Sequence, residues 1–249
     1  MAAAGSTNGE SERLPPLGFL AVEVNIHRPP GDPFNEATWP FPLIREKVPG
    51  STESQIVTGG DYDDAFIDRF VAASIKLAER GAVGIITSCG FLAMAQPRLA
   101  ARLPVPIATS ALVQVPSILA LLPPSKSIGI LTYDGARLGT GHLLKLGIEP
   151  SRVHIRGSPP EGHLRSHIQR GAPYVTAGLE AELVAESKAL MAEHPDVGVL
   201  VLECTQMPPF AEAIQAAIGI PVYDVYTMAM WFYSGLVRRR PSTWGVAVP

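Results

Sequence analysis

The chain has 249 residues, 47% of them hydrophobic and 17% charged, with a formal net charge of −3. Such a composition excludes a disordered chain and allows a full core without disulfide staples. The basic triplet Arg238-Arg239-Arg240 is too short to favour nucleic acid, and no stretch approaches the ~18 apolar residues of a membrane span.

Residues 1–16 are small, polar and charged, and read as a frayed tail without a secretory signal. With only two cysteines, the chain points to a reducing compartment and a cytoplasmic enzyme. A first strand is expected over 18–25. A Pro- and Gly-rich segment follows over 27–60, with a possible second strand at 41–48. That segment has two readings: a cover carrying Arg28, Trp39 or Phe41 over a cleft, or a surface loop with structural aromatics. A helix over 61–80 places Ile67, Phe70, Val71, Ser74, Ile75 and Ala78 on one face. Strand 82–88, helix 91–102, strand 105–110 and helix 112–122 complete the first half.

The second half repeats the pattern: strand 127–133, helix 136–146, strand 152–157, helix 175–193, strand 197–203, helix 208–217 and strand 221–224. A last helix is expected over 226–237. Alternating strands and helices predict an α/β fold with parallel sheets in two pseudo-symmetric Rossmann-like halves. The halves fall at 17–115 and 116–222, and 223–249 is expected to pack back on the first.

The cysteines carry the strongest functional signal. Cys89 and Cys204 each end an apolar strand, and Pro106 and Pro221 follow them at the same spacing. Thiols repeated in this way could be a disulfide, a metal site, a core pair or a catalytic pair. The compartment argues against a disulfide. The absence of CxxC or nearby histidine spacing argues against zinc or another metal. The repeated context argues against chance core filling. A catalytic pair remains. Both thiols stand where doubly wound sheets bind ligands, before helix N-termini that lower a thiol's pKa and attract a carboxylate. Ser88, Gly90, Phe91, Thr205 and Gln206 flank them, and Asn25 and Thr132 end the equivalent strands; a helix cap or turn role is the alternative for each hydroxyl and amide.

The motifs Glu203-Cys204-Thr205-Gln206-Met207-Pro208 and Thr87-Ser88-Cys89-Gly90-Phe91-Leu92 resemble those of the aspartate/glutamate racemase superfamily. That group includes glutamate, aspartate and hydantoin racemases, arylmalonate decarboxylase and maleate isomerase. The resemblance implies a cofactor-independent, homo-oligomeric racemase or epimerase with its site between the halves. Cys89 and Cys204 would be acid and base on either face of a carbon next to a carboxylate. Asn25, Ser88, Gly90, Thr132 and Thr205 would orient a small carboxylate-bearing substrate, an amino acid or a derivative such as a hydantoin. A maleate-type cis–trans isomerase with a covalent cysteine adduct and a non-catalytic small-acid binder are the alternatives. Two positions depart from the family pattern. Gln206 replaces a titratable residue, and Glu203 replaces glycine; in a continuing strand its side chain would face away from that of Cys204.

Overall fold

The computed structural model describes residues 14–239. Most of the expected N-terminal tail, and the C-terminal residues from Arg240 onward, lie outside the described residues.

The strands form two four-stranded parallel sheets of the same order. The first runs β2–β1–β3–β4, with β1 (Leu17–Ala21), β2 (Leu43–Lys47), β3 (Ile85–Thr87) and β4 (Ile107–Ala108). The second runs β6–β5–β7–β8, with β5 (Ser127–Thr132), β6 (Val153–Gly157), β7 (Val197–Leu202) and β8 (Val222–Tyr223). Strand for strand, the second sheet repeats the first, so the α/β fold in two parallel halves stands as the sequence implies.

Parallel sheets need cover on both faces. It comes from α1 (Glu53–Ile56), α2 (Asp64–Glu79), α3 (Gln96–Ala100), α4 (Val115–Leu121), α5 (Thr140–Lys145), α6 (His163–Arg170), α7 (Thr176–Glu193), α8 (Ala211–Ile218) and α9 (Val225–Leu236). The Asp63 carboxylate accepts the Phe66 N–H at 2.6 Å and starts α2. Its buried face includes Ile67, Phe70, Val71, Ser74 and Leu77; Ile75 falls off the edge and is exposed.

Several expected helices are shorter than their sequence pattern. The stretch after Cys89 is a 3₁₀ helix, Gly90–Ala95, followed by α3, with Pro97 in the first turn of the new helix. Ala111–Gln114 and α4 divide in the same way before Pro116. Helix α5 begins at Thr140 because the Asp134 carboxylate accepts the N–H groups of Ala136 and Arg137 and holds that stretch as a turn. Helices α1 and α6 have no counterpart in the sequence reading.

Strand β1 ends at Ala21 rather than at residue 25, because its partner β3 ends at Thr87. Past that point the Val22 N–H donates to Ser88 Oγ at 2.9 Å and the Glu23 N–H to the Ser51 carbonyl at 3.0 Å. The ladder is replaced by loop contacts, which send the chain across the carboxyl ends of the strands.

One core cluster draws on both halves, including Phe70, Leu77 and Phe91 from the first and Ile130, Leu200 and Phe210 from the second. A second cluster lies on the first sheet, where Leu17, Phe19 and Ile86 meet Val225, Met228 and Tyr233 of α9. Trp39 and Phe41 join it: Phe41 stacks on Tyr233 at 3.9 Å between ring centroids, and the Trp39 indole N–H donates to the Pro33 carbonyl at 2.9 Å. Burial stabilises by about 1.5–3 kcal/mol for a Phe or Leu side chain, so these aromatics are structural and not part of a cleft. Among the described residues, no helix is long and apolar enough to cross a membrane.

Candidate functional site

Cys89 follows β3 and Cys204 follows β7, each after one intervening residue. Both thiols are free, and both line one cavity of about 50 Å³ at the carboxyl ends of the strands. At roughly 10–15 Å³ of such space per water, it accommodates a few water-sized groups, which suits a small substrate. Two loops of the first half roof it. Val22, Val24, Ile26 and Arg28 come from the segment after β1, and Glu53, Ile56 and Val57 from α1 and its end. The second half adds Tyr133, Ile168 and the residues around Cys204.

Ser88, Gly90, Phe91, Thr205 and Gln206 line the same cavity as the two thiols. Their polar groups are largely engaged by the protein itself. Ser88 Oγ accepts the Val22 N–H, and Thr205 Oγ1 donates to the Ser88 carbonyl at 2.8 Å, tying one cysteine loop to the other. The Gln206 amide donates to the Asp32 carboxylate. Asp32 is fully buried, accepts the Phe34 N–H at 2.7 Å and pairs with Arg28 at 3.3 Å. Gln206 thus fixes, through Asp32, the loop that carries the guanidinium.

Asn25 and Thr132 are placed elsewhere. Asn25 is exposed and lines a separate hollow with Arg45 and Lys47, because β1 ends four residues before it. Thr132 is fully buried and does not line the cavity; its hydroxyl donates to Glu203 Oε2 at 2.7 Å.

Glu203 is the residue that the strand pattern misplaces. Strand β7 ends at Leu202, so the alternation that would turn Glu203 away from Cys204 stops one residue early. The Glu203 N–H donates to the Leu131 carbonyl at 2.9 Å, and Glu203 lines the cavity together with both cysteines. Only 1% of the residue is exposed, and Oε1 has no hydrogen-bond partner. Its equivalent in the first half is Ser88. Gly90 is glycine for the same reason: a Cβ there would overlap Glu203 Oε1 and lie 2.5 Å from the Glu203 carbonyl oxygen. The replacement of the family's glycine by glutamate before the second cysteine was the one signal in the sequence.

Electrostatics correct the expectation of low thiol pKa values. Burial pushes Cys89 upward, the Glu203 charge adds to that, and one N–H bond from Phe91 only partly offsets it. Cys204 is raised by burial and then by Glu203, against one N–H bond from Gln206. The helix dipole is weak here because the element after Cys89 is a 3₁₀ turn. Glu203 itself is lifted by burial from its ordinary 4.5 to about 7, against the opposing bonds from Thr132 and the Tyr133 N–H.

A pKa raised by folding means that the native state holds a proton the unfolded state releases. Its stabilising contribution is full below about 4.5 and is lost as pH rises through about 7. The thermal midpoint of the protein is therefore expected to fall between pH 5 and 8 by more than that of Glu203→Gln. Scanning calorimetry across this range checks the difference in slope.

Of the other charged residues lining the cavity, Arg28 is paired with Asp32 and Glu53 is held by neutral donors. Glu53 accepts from the Tyr133 hydroxyl at 3.0 Å and from the Gln169 amide at 3.2 Å. Glu53, Tyr133 and Ile168 carry no motif and were not anticipated from the sequence. At the opposite, amino end of the second sheet, His154, His194 and Asp196 bring ligand atoms within 4.8 Å of one another. There the two rings stack and the exposed Asp196 is hydrogen-bonded to His154 at 3.2 Å, an arrangement that reads as a surface contact.

No protein-family model matches the chain. Among solved structures, unliganded arylmalonate decarboxylase superposes with a TM-score of 0.56 at 17% identity, covering 92% of this chain and 96% of that one. Allantoin racemase from Klebsiella pneumoniae gives 0.58 at 14% identity, over 88% and 87%. The chain therefore shares its fold with these proteins. Within that fold, the sequence relatives bear a different activity. A dimethylsulfoniopropionate lyase from Durusdinium sp. clade D is 29% identical over 228 residues, which are 89% of this chain and 75% of the relative. Dimethylsulfoniopropionate lyase 5 of Emiliania huxleyi (strain CCMP1516) is 28% identical over 233 residues, 88% of this chain but only 45% of the relative.

These relatives are enzymes of the lyase class, and they overturn the expectation of a racemase or epimerase together with its isomerase and binding-protein alternatives. The physical reason is plain. Thiols beside a carboxylate site indicate proton transfer at the adjacent carbon, but the fate of the resulting carbanion depends on whether the substrate carries a leaving group.

Proposed function

We propose that the protein is a lyase that cleaves dimethylsulfoniopropionate or a close analogue by thiol-assisted elimination. The observation that carries the reading is the cavity itself: both strand-end cysteines line one small space together with Arg28 and Glu53. Likeness to lyases along nearly nine tenths of the chain supports it.

The substrate is a zwitterion with a carboxylate at one end and a dimethylsulfonium group at the other. Arg28 supplies the cation for the carboxylate. Glu53, the Tyr133 ring and the apolar side chains Val24, Ile26 and Ile168 suit a positively charged, methyl-bearing sulfur. One cysteine, as thiolate, takes a proton from the carbon next to the carboxylate, forming S–H as C–H breaks. The electron pair becomes the C=C bond of acrylate while the C–S bond breaks and neutral dimethyl sulfide leaves. The other thiol, still protonated, donates to the substrate carboxylate as negative charge builds on it.

Purified protein incubated with dimethylsulfoniopropionate should release dimethyl sulfide, measured in the headspace by gas chromatography, with equimolar acrylate seen by proton NMR. Release no faster than from the Cys89→Ala/Cys204→Ala double variant would sink the reading.

A further inference from the structure

The cavity lining brings Cys89, Cys204 and Glu203 together, while its other carboxylate, Glu53, is engaged by Tyr133 and Gln169. Burial keeps both thiols protonated, and no histidine lines the walls. Yet the elimination needs a thiolate, so the proton must have a destination. We propose that Glu203 is that destination: its unpartnered Oε1 accepts the thiol proton, and one negative charge is shared among Glu203, Cys89 and Cys204. The assignment rests on the reading of the cavity as a thiol-based lyase site.

The geometry carries it. Glu203 adjoins Cys204 in the chain, and its Oε1 packs on Gly90, the neighbour of Cys89. It is therefore set between the two cysteine loops. Its other oxygen is held by the Thr132 hydroxyl at 2.7 Å, which leaves Oε1 as the atom free to take a proton. A buried, unbonded carboxyl oxygen costs stability, and Glu203 is among the residues that line the cavity. In the transfer the S–H bond breaks, an O–H bond forms on Oε1, and the total charge of the site is unchanged.

The other charged and titratable groups in range set the direction. Tyr62 is held well above its ordinary range by burial and then by the charges of Cys89 and Glu203, so it does not compete for ionisation. Tyr133 is likewise raised, by burial and Glu53. Glu53 and Arg28 act on Cys89 with opposite sign, and Asp32 acts on Cys204. Three acids coupled this closely titrate as a group, and their first proton is lost near the range of Glu203, not that of an isolated buried thiol.

The test reads the thiols without any substrate, so it stands apart from the lyase reading. Iodoacetamide labelling of Cys89 and Cys204 is followed against pH by peptide mass spectrometry in the wild type and in Glu203→Gln. If Glu203 accepts the proton, the wild-type labelling limb lies near neutrality and the variant's moves upward by at least one pH unit. If Glu203 only fills space, losing a negative neighbour lets the thiols ionise more easily. The limb then moves downward or stays in place, and either result overturns the proposal.

Thr132→Val gives a second route should Glu203→Gln fail to fold. Without its donor the carboxylate ionises later, so the limb shifts upward by a smaller amount; an unchanged limb counts against the proposal. Loss of dimethyl sulfide release with an intact upward shift, by contrast, would reject the substrate and leave the relay standing.

Discussion

Substitution of one of the two cysteines by alanine is expected to lower the turnover of dimethylsulfoniopropionate by about 10²–10⁴-fold, the usual share of a positioned general base. The other substitution should cost less. The inequality follows from the product. Inverting a carbon requires a base on one face and an acid on the other, but an alkene needs no proton returned. Only one thiol is then the base; its partner helps to bind the carboxylate. The variant lacking the base should lose kcat with KM nearly unchanged, whereas the other should chiefly raise KM. Initial rates of dimethyl sulfide release over a range of substrate concentrations separate the two. Wild-type rates in both variants would remove the thiols from the mechanism. Folding should survive either change, because Ala fills most of the small volume of Cys and neither thiol bridges to another residue.

The fold was legible because duplication leaves marks that a single sequence can display. Apolar runs ending in Cys89 and Cys204, each followed by a proline at equal spacing, place two equivalent strands, and the sheet orders then match. The roof was legible only in part: Arg28 lines the cavity as the cover reading of 27–60 has it, whereas Glu53 and Ile56 were not foreseen. Its residues, Arg28, Glu53 and Ile56, come from a Pro- and Gly-rich stretch without period, and their positions depend on long-range bonds such as Tyr133 to Glu53 and Gln206 to Asp32. Asn25 and Glu203 were misplaced for one shared reason. Strand ends are set by the partner strand's length, and a difference of one residue decides which way a side chain faces. The chemistry was half legible. The thiols identify the kind of proton transfer, while the leaving group belongs to the substrate and writes nothing into the motif.

Arg28→Gln is expected to raise KM for dimethylsulfoniopropionate by about 100-fold, or ~2.7 kcal/mol, within the 2–5 kcal/mol seen when a buried hydrogen-bonded charge loses its partner. The Arg28 side chain is 13% exposed and lines the cavity, so its attraction for a carboxylate is little screened by water. The same substitution leaves Asp32 fully buried with the Phe34 N–H and Gln206 amide but no cation, which destabilises the fold as well. The two effects separate in a double variant. Arg28→Gln/Asp32→Asn removes the stranded carboxylate and should recover most of the lost thermal stability, yet its KM should stay high because no positive charge returns to the cavity. If KM recovers together with stability, Arg28 acts only by holding its loop. If KM stays near the wild-type value in the single variant, the substrate carboxylate is bound elsewhere, and the backbone N–H groups beside Cys89 and Cys204 become its remaining donors.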